Sequence, residues 1–187
     1  MERIDYVYII VDNSNSMLGN KIGSVNDAIN NILFRLRKIQ AKNDVSIQMI
    51  QMSFAKSVVW SNVFPVPLSQ FVYNDLYTCE SESNMGTAFK ELYEKLERQY
   101  EVTSTKDSET TILLFSDGLY SDDVYAGLSL LKKNPIFKTA NRIGITFHDD
   151  LSEDLAEKFL AEYVSGSDNI VIDDFGKLNR LLFEKYR

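Results

Sequence analysis

Residues 6–29 read YVYIIVDNSNSMLGNKIGSVNDAI, and the break at Asp12 decides how the chain is read. An unbroken apolar and aromatic run, Tyr6 to Val11, stops on a carboxylate. A run this short and this apolar predicts a strand buried on both faces, as inside a parallel sheet. After Asp12, two serines stand at alternate positions, Ser14 and Ser16. From Asn20 to Ile39 the apolar residues return at helical spacing: Ile22, Val25, Ile29, Ile32, Leu33 and Leu36. The unit is therefore strand, polar loop, helix, with a carboxylate at the strand's carboxyl end.

The same alternation runs through the rest of the chain. DVSIQMIQMSF (44–54) alternates as a half-exposed strand does, and SVVWSNVF (57–64) follows after so short a link that it suits an antiparallel hairpin, since a parallel crossover needs a dozen or more residues. A poorly patterned stretch, 65–85, precedes an expected helix over 87–100. TTILLFS (110–116) is a second fully apolar strand, followed by a helix over 122–133 that ends at Asn134-Pro135. A strand over 142–147, a helix over 152–164 capped by Ser152, a strand over 169–174 and a helix over 176–186 complete the chain. Strands alternating with helices predict an α/β, doubly wound, mostly parallel six-stranded sheet. It has one antiparallel edge strand and helices on both faces, in a single domain over 1–187.

Composition narrows the function. The 187 residues are 44% apolar and 25% charged, with a net charge of −7, which disfavours nucleic-acid backbones and anionic membranes as partners. The lone cysteine, Cys79, excludes an internal disulfide and a cysteine-based zinc site. MERIDYVYII is too short to span a bilayer and lacks the regions of a signal peptide, so a cytoplasmic location is expected. No GxxxxGK[ST] loop is present.

Doubly wound sheets place their sites at the carboxyl ends of strands, where the winding reverses. Both all-apolar strands end on an acid, Asp12 and Asp117. On adjacent strands these would emerge about 5 Å apart and repel one another unless a cation or proton intervened. Asp12, Ser14 and Ser16 can turn a carboxylate and two hydroxyls toward one point. Thr87, after a glycine at an expected helix start, offers a third hydroxyl, and Asp117 a second carboxylate. Such hard oxygen donors suit Mg²⁺, Ca²⁺ or Mn²⁺ and suit zinc poorly.

The set Asp12, Ser14, Ser16, Thr87 and Asp117 resembles the metal-ion-dependent adhesion site of von Willebrand factor type A domains. That pattern is Asp-x-Ser-x-Ser on one loop, a threonine on a second and an aspartate on a third. The flanking stretches VYIIVDNSNSMLGNKIGSVNDAI, VSIQMIQMSFAKSVVW and FKTANRIGITFHDDLSEDLAEKF resemble the bacterial TerY-like, tellurite-resistance-associated group. Three positions depart from the common form: Asn15 in the first loop, SNMGT before the threonine, and His148 after a strand. None of the three is a coordinating position. The resemblance implies a metal-dependent protein-interaction module rather than an enzyme, in which the ion's open position takes a partner's Asp or Glu. A protein kinase or phosphatase is the candidate partner class, in a stress-response setting.

Each residue also has a plainer reading. Asp12, Ser14 and Ser16 make a natural Asx turn and helix cap, Thr87 a cap, and Asp117-Gly118 a turn. Asp122 and Asp123 suit the start of their own helix. Met17, Leu18, Met85 and Tyr120 are expected as an apolar rim or as core. A haloacid-dehalogenase-like phosphatase would also place an Asp after its first strand as nucleophile. It needs a second Asp two residues on, where this chain has Ser14.

Overall fold

The computed structural model describes residues 3–103, 108–147 and 153–186. In chain order its strands are β1 (Arg3–Asp12), β2 (Val45–Phe54), β3 (Val58–Trp60), β4 (Val66–Pro67), β5 (Ser108–Phe115), β6 (Asn141–Thr146) and β7 (Ile170–Ile172). Its helices are α1 (Asn20–Gln40), α2 (Met85–Thr103), α3 (Val124–Leu131), α4 (Pro135–Thr139), α5 (Glu153–Tyr163) and α6 (Phe175–Phe183).

The strands form one sheet in the order β3-β2-β1-β5-β6-β7, with β4 also on β2. β1, β2, β5, β6 and β7 are parallel, and β3 and β4 run antiparallel to β2. The expected α/β architecture holds, with a detail at the edge. The strand expected over 57–64 is shortened to β3, and β4, within the stretch read as unpatterned, adds a second short piece on the outer side of β2, giving seven strands among the described residues. β3 covers Met52–Phe54 of β2, and β4 covers Gln48 and Met49.

β1 is central because it is apolar on both sides. Val7, Ile9 and Val11 pack with α1 residues such as Val25 and Ile29 and with Leu178 and Leu182 of α6. Tyr8 and Ile10 face the opposite layer, with Phe89 and Leu92 of α2, Leu128 of α3 and Phe159 of α5. The period-two alternation of the strand thus serves two cores at once.

Proline acts on the next element rather than on the last. α3 ends at Leu131, and Pro135 then opens α4, where its missing N–H is no loss. Asn134 caps α4, its Oδ1 accepting from the Phe137 amide at 3.0 Å. The cap expected at Ser152 and the variant position His148 lie outside the described residues.

The winding reverses between β1 and β5. From β1 the chain moves outward to β2 and then returns to β5 on the other side. The carboxyl ends of these two neighbours carry Asp12 and, just beyond Phe115, Ser116 and Asp117.

Candidate metal centre

Three segments meet above the β1–β5 crevice. The first is the turn after β1, where Asp12 and Ser14 are buried and Ser16 is half-buried. The second is the end of the 68–84 loop, and the third is the turn after β5. Local bonds hold them together. The Asn15 amide donates to Glu80 O at 2.8 Å and the Cys79 amide to Asn13 O at 3.2 Å, joining the first two segments like a fragment of sheet. Ser83 and Ser121 join the second and third: the Ser121 amide donates to Ser83 O at 2.7 Å, and the Ser83 amide to Ser121 Oγ at 2.9 Å. Asn26 of α1 pins the loop further back, accepting from the Tyr73 hydroxyl and the Leu76 amide and donating to Leu76 O.

The polar side chains form one connected network. Asp12 Oδ1 accepts from the Ser14 amide at 3.0 Å, and its Oδ2 accepts from Ser83 Oγ at 2.9 Å and Ser116 Oγ at 3.1 Å. Ser14 Oγ and Ser16 Oγ are 3.1 Å apart, and Ser16 Oγ donates to Asp117 Oδ1 at 3.3 Å. The Leu119 amide donates to the same oxygen at 3.3 Å, and Lys21 Nζ lies 3.0 Å from Asp117 Oδ2. The network runs from Ser83 through Asp12, Ser14 and Ser16 to Asp117.

Asp12, Ser14, Ser16 and Asp117 are therefore brought together, and Thr87 is not among them. Its hydroxyl is exposed and donates to Asp122 Oδ2 at 2.9 Å. Asp122 also accepts from the Gly86 and Thr87 amides, both at 2.7 Å, so it caps α2 from across the site. Asp123 does what was expected of the pair, capping its own helix through the Ala126 amide at 3.0 Å. The hydroxyl that reaches Asp12 from the second segment belongs to Ser83.

The reason is where α2 begins. Its buried stripe is Met85, Ala88, Phe89, Leu92 and Leu96, which starts before the predicted helix and leaves Thr87 on the outer face. Ser83 and Ser116 were both missed. The stripe beginning at Met85 was the signal that could have found Ser83, and the alternation of β5 places Ser116 beside its neighbour strand's end.

Electrostatically the two acids differ. Burial pushes the Asp12 carboxyl up to about 6; the nearby Asp117 charge adds to this, while hydrogen bonds from Ser14 and Ser83 oppose it. Asp117 is equally buried but has the Lys21 ammonium against it. Around the rim, Leu18 is 70% exposed, Tyr120 42% and Leu119 39%, whereas Met17 and Met85 are fully buried and belong to the core.

Two carboxylates ringed by serine hydroxyls are a hard-oxygen donor set, which fits Mg²⁺, Ca²⁺ or Mn²⁺. No group of three or more His, Cys, Asp or Glu that could hold a metal ion occurs among the described residues, so the donors gathered here are two carboxylates and serine hydroxyls.

The family model of the von Willebrand factor type A domain matches residues 7–181. The chain belongs to the von Willebrand factor type A family. No curated protein matches it. Among solved structures, the pilus adhesin SpaC of Lactobacillus rhamnosus GG superposes with a TM-score of 0.67 at 11% identity, over 100% of this chain and 30% of that one. The ArnB paralog VWA2 of Sulfolobus acidocaldarius gives a TM-score of 0.55 at 18% identity, over 94% and 42%. Manganese-loaded TRAP protein of Plasmodium vivax gives 0.61 at 13% identity, over 99% and 73%. This type A chain thus spans less than half of the first two structures, and at these identities the likeness is one of fold. No helix among the described residues is long and apolar enough to cross a membrane.

Proposed function

We propose that this type A domain is a metal-dependent protein-interaction module occupying 1–187. Asp12, Ser14, Ser16, Ser83 and Asp117 would hold a divalent cation, Mg²⁺ or in its place Mn²⁺ or Ca²⁺. The observation that carries this is the hydrogen-bonded network in which Ser14 and Ser16 of the first turn link the buried carboxylates of Asp12 and Asp117, and the Ser83 hydroxyl of the second segment meets Asp12. Thr87, included on sequence grounds, is left out because its hydroxyl is committed to Asp122.

A bound cation supplies an under-neutralised positive centre that attracts an anionic oxygen. The chain's residues do the rest. Ser83 and Ser116 orient Asp12, the Leu119 amide and Ser16 orient Asp117, and exposed Leu18, Leu119 and Tyr120 give an apolar rim on which a partner can settle. The partner would present an Asp or Glu. The TerY-like likeness of the flanking stretches points to a cytoplasmic protein kinase or phosphatase in a stress-response or tellurite-resistance setting. Binding is favoured over hydrolysis because Ser14 stands where a dehalogenase-like phosphatase needs its general acid.

Titration calorimetry of the metal-free chain with magnesium, then manganese, tests the first half. Binding lost in Asp12→Ala is expected, and no heat with either ion would sink the reading. Affinity capture with and without chelator tests the second; a partner retained equally in both would show that no metal bridge is needed.

A further inference from the structure

We propose that Lys21 is a built-in counter-cation of this site, holding down its affinity for divalent ions by competing for Asp117. The inference rests on the metal-binding reading above and concerns how tightly the ion is held. Lys21 Nζ lies 3.0 Å from Asp117 Oδ2, with the lysine side chain 18% exposed and the aspartate fully buried. The charge is thus largely withdrawn from water and applied to one of the two acids. Asp12, by contrast, meets hydroxyls and an amide from Ser14, Ser83 and Ser116.

The position of Lys21 is a second observation. It is the second residue of α1, whose N-cap, Gly19, makes no side-chain capping bond, and no acid stands in the first turn. A cation there faces the positive end of the helix dipole, the wrong end for lysine. Departures from local preference concentrate where a site demands them. Here the demand comes from Asp117, a buried carboxylate beside a second buried carboxylate, which needs compensating charge whenever no ion is present.

The consequence is a trade. With Lys21 in place, Asp117 is neutralised in the metal-free chain and the segments stay assembled. A divalent ion must then enter against a fixed positive charge. A unit charge held against the same carboxylate that would hold a dication would, even at the dielectric constant of water, be worth about tenfold in binding. The same charge leaves the ion less neutralised by the protein and so more attractive to an acidic side chain from outside.

The test is titration calorimetry of the metal-free full chain with magnesium alone and with manganese alone, for wild type, Lys21→Met, Lys21→Gln and Lys21→Arg. Both neutral variants should bind each ion about tenfold more tightly than wild type, and Lys21→Arg should stay near wild type. Neutral variants that bind no more tightly than a wild type with measurable affinity would overturn the role of Lys21 and leave the metal site standing. A wild type that binds neither ion would overturn the metal reading, and this inference with it.

Discussion

Asp12→Asn should stabilise the metal-free protein at neutral pH while removing its response to metal. The Asp12 carboxylate is fully buried, and burial pushes its pKa up to about 6. Against an ordinary value near 3.9, two units correspond to about 3 kcal/mol of unfavourable charge at neutral pH. The sign follows from proton binding. Between about pH 4 and about pH 6 the folded chain keeps a proton on Asp12 that the unfolded chain has lost. Stability from this group is therefore greatest below about pH 4, falls across that window and stays low above it. Asparagine has the same shape and no charge; its Oδ1 keeps the Ser14 amide, and its Nδ2 takes the place of Oδ2, where the rotatable Ser83 and Ser116 hydroxyls turn to accept. Urea unfolding in chelator should show the variant and wild type nearly level at about pH 4, with the variant ahead by about 3 kcal/mol at about pH 7.5. For a chain of this size that is a rise in Tm of roughly 6–12 °C. Saturating magnesium should then raise wild type, by the ordinary linkage of binding to folding, and leave the variant where it was. A variant that is less stable than wild type at neutral pH, or a gap that does not widen with pH, would show that Asp12's charge is not left uncompensated and would refute the reasoning.

The choice between Ser83 and Thr87 separates the assembled geometry from the linear motif. Ser83→Ala should weaken magnesium binding at least about tenfold, whereas Thr87→Ala should bind as wild type and lose about 1 kcal/mol from its bond to Asp122, both read by calorimetry and denaturation. Gly118 has φ +79°, and a Cβ there would lie 2.4 Å from the Ala156 Cα of α5. Gly118→Ala should cost about 3 kcal/mol by urea unfolding, from backbone strain and the overlap together, and a neutral result would mean that α5 can move aside. Asn26→Ala strands the Tyr73 and Leu76 groups and should cost about 2 kcal/mol while opening the 68–84 loop to limited proteolysis.

The sheet was legible because its central strands are buried on both faces, and such strands announce themselves as unbroken apolar runs. β1 and β5 did so, and both runs end at the acids of the site. What stayed hidden depended on a helix boundary and on neighbours distant in sequence. In SESNMGT (81–87), Ser81, Ser83 and Thr87 all carry hydroxyls, and the glycine before Thr87 suggests a helix start there. The buried stripe begins instead at Met85, and that two-residue difference decides which hydroxyl faces Asp12. Adjacent Asp122 and Asp123 look equivalent in the sequence, yet one caps its own helix and the other caps α2 from another segment. No local pattern carries that division of labour. Lys21 is similar: as sequence it is one more charged residue on an amphipathic helix, and only the return of β5 beside β1 gives it Asp117.

That the donors come from three segments has a physical consequence for capture. The first is laced to the second by the Asn15–Glu80 and Cys79–Asn13 backbone bonds, the second to the third by the paired Ser83–Ser121 bonds, and the third back to the first by Ser16–Asp117. The contacts close a ring, so no segment has to be recruited from a disordered state for the carboxylates to stand together. A ligand arriving at such a place is spared the entropy of assembling it. The cost has already been met in another form, as a buried carboxylate at Asp12 with hydroxyl and amide partners and as the lysine held against Asp117. A hard cation that satisfied Asp12 would relieve the first and contend with the second. The balance between those two charges, more than the number of oxygen donors, sets whether the ion is held loosely enough to keep an outward pull on a partner's acid.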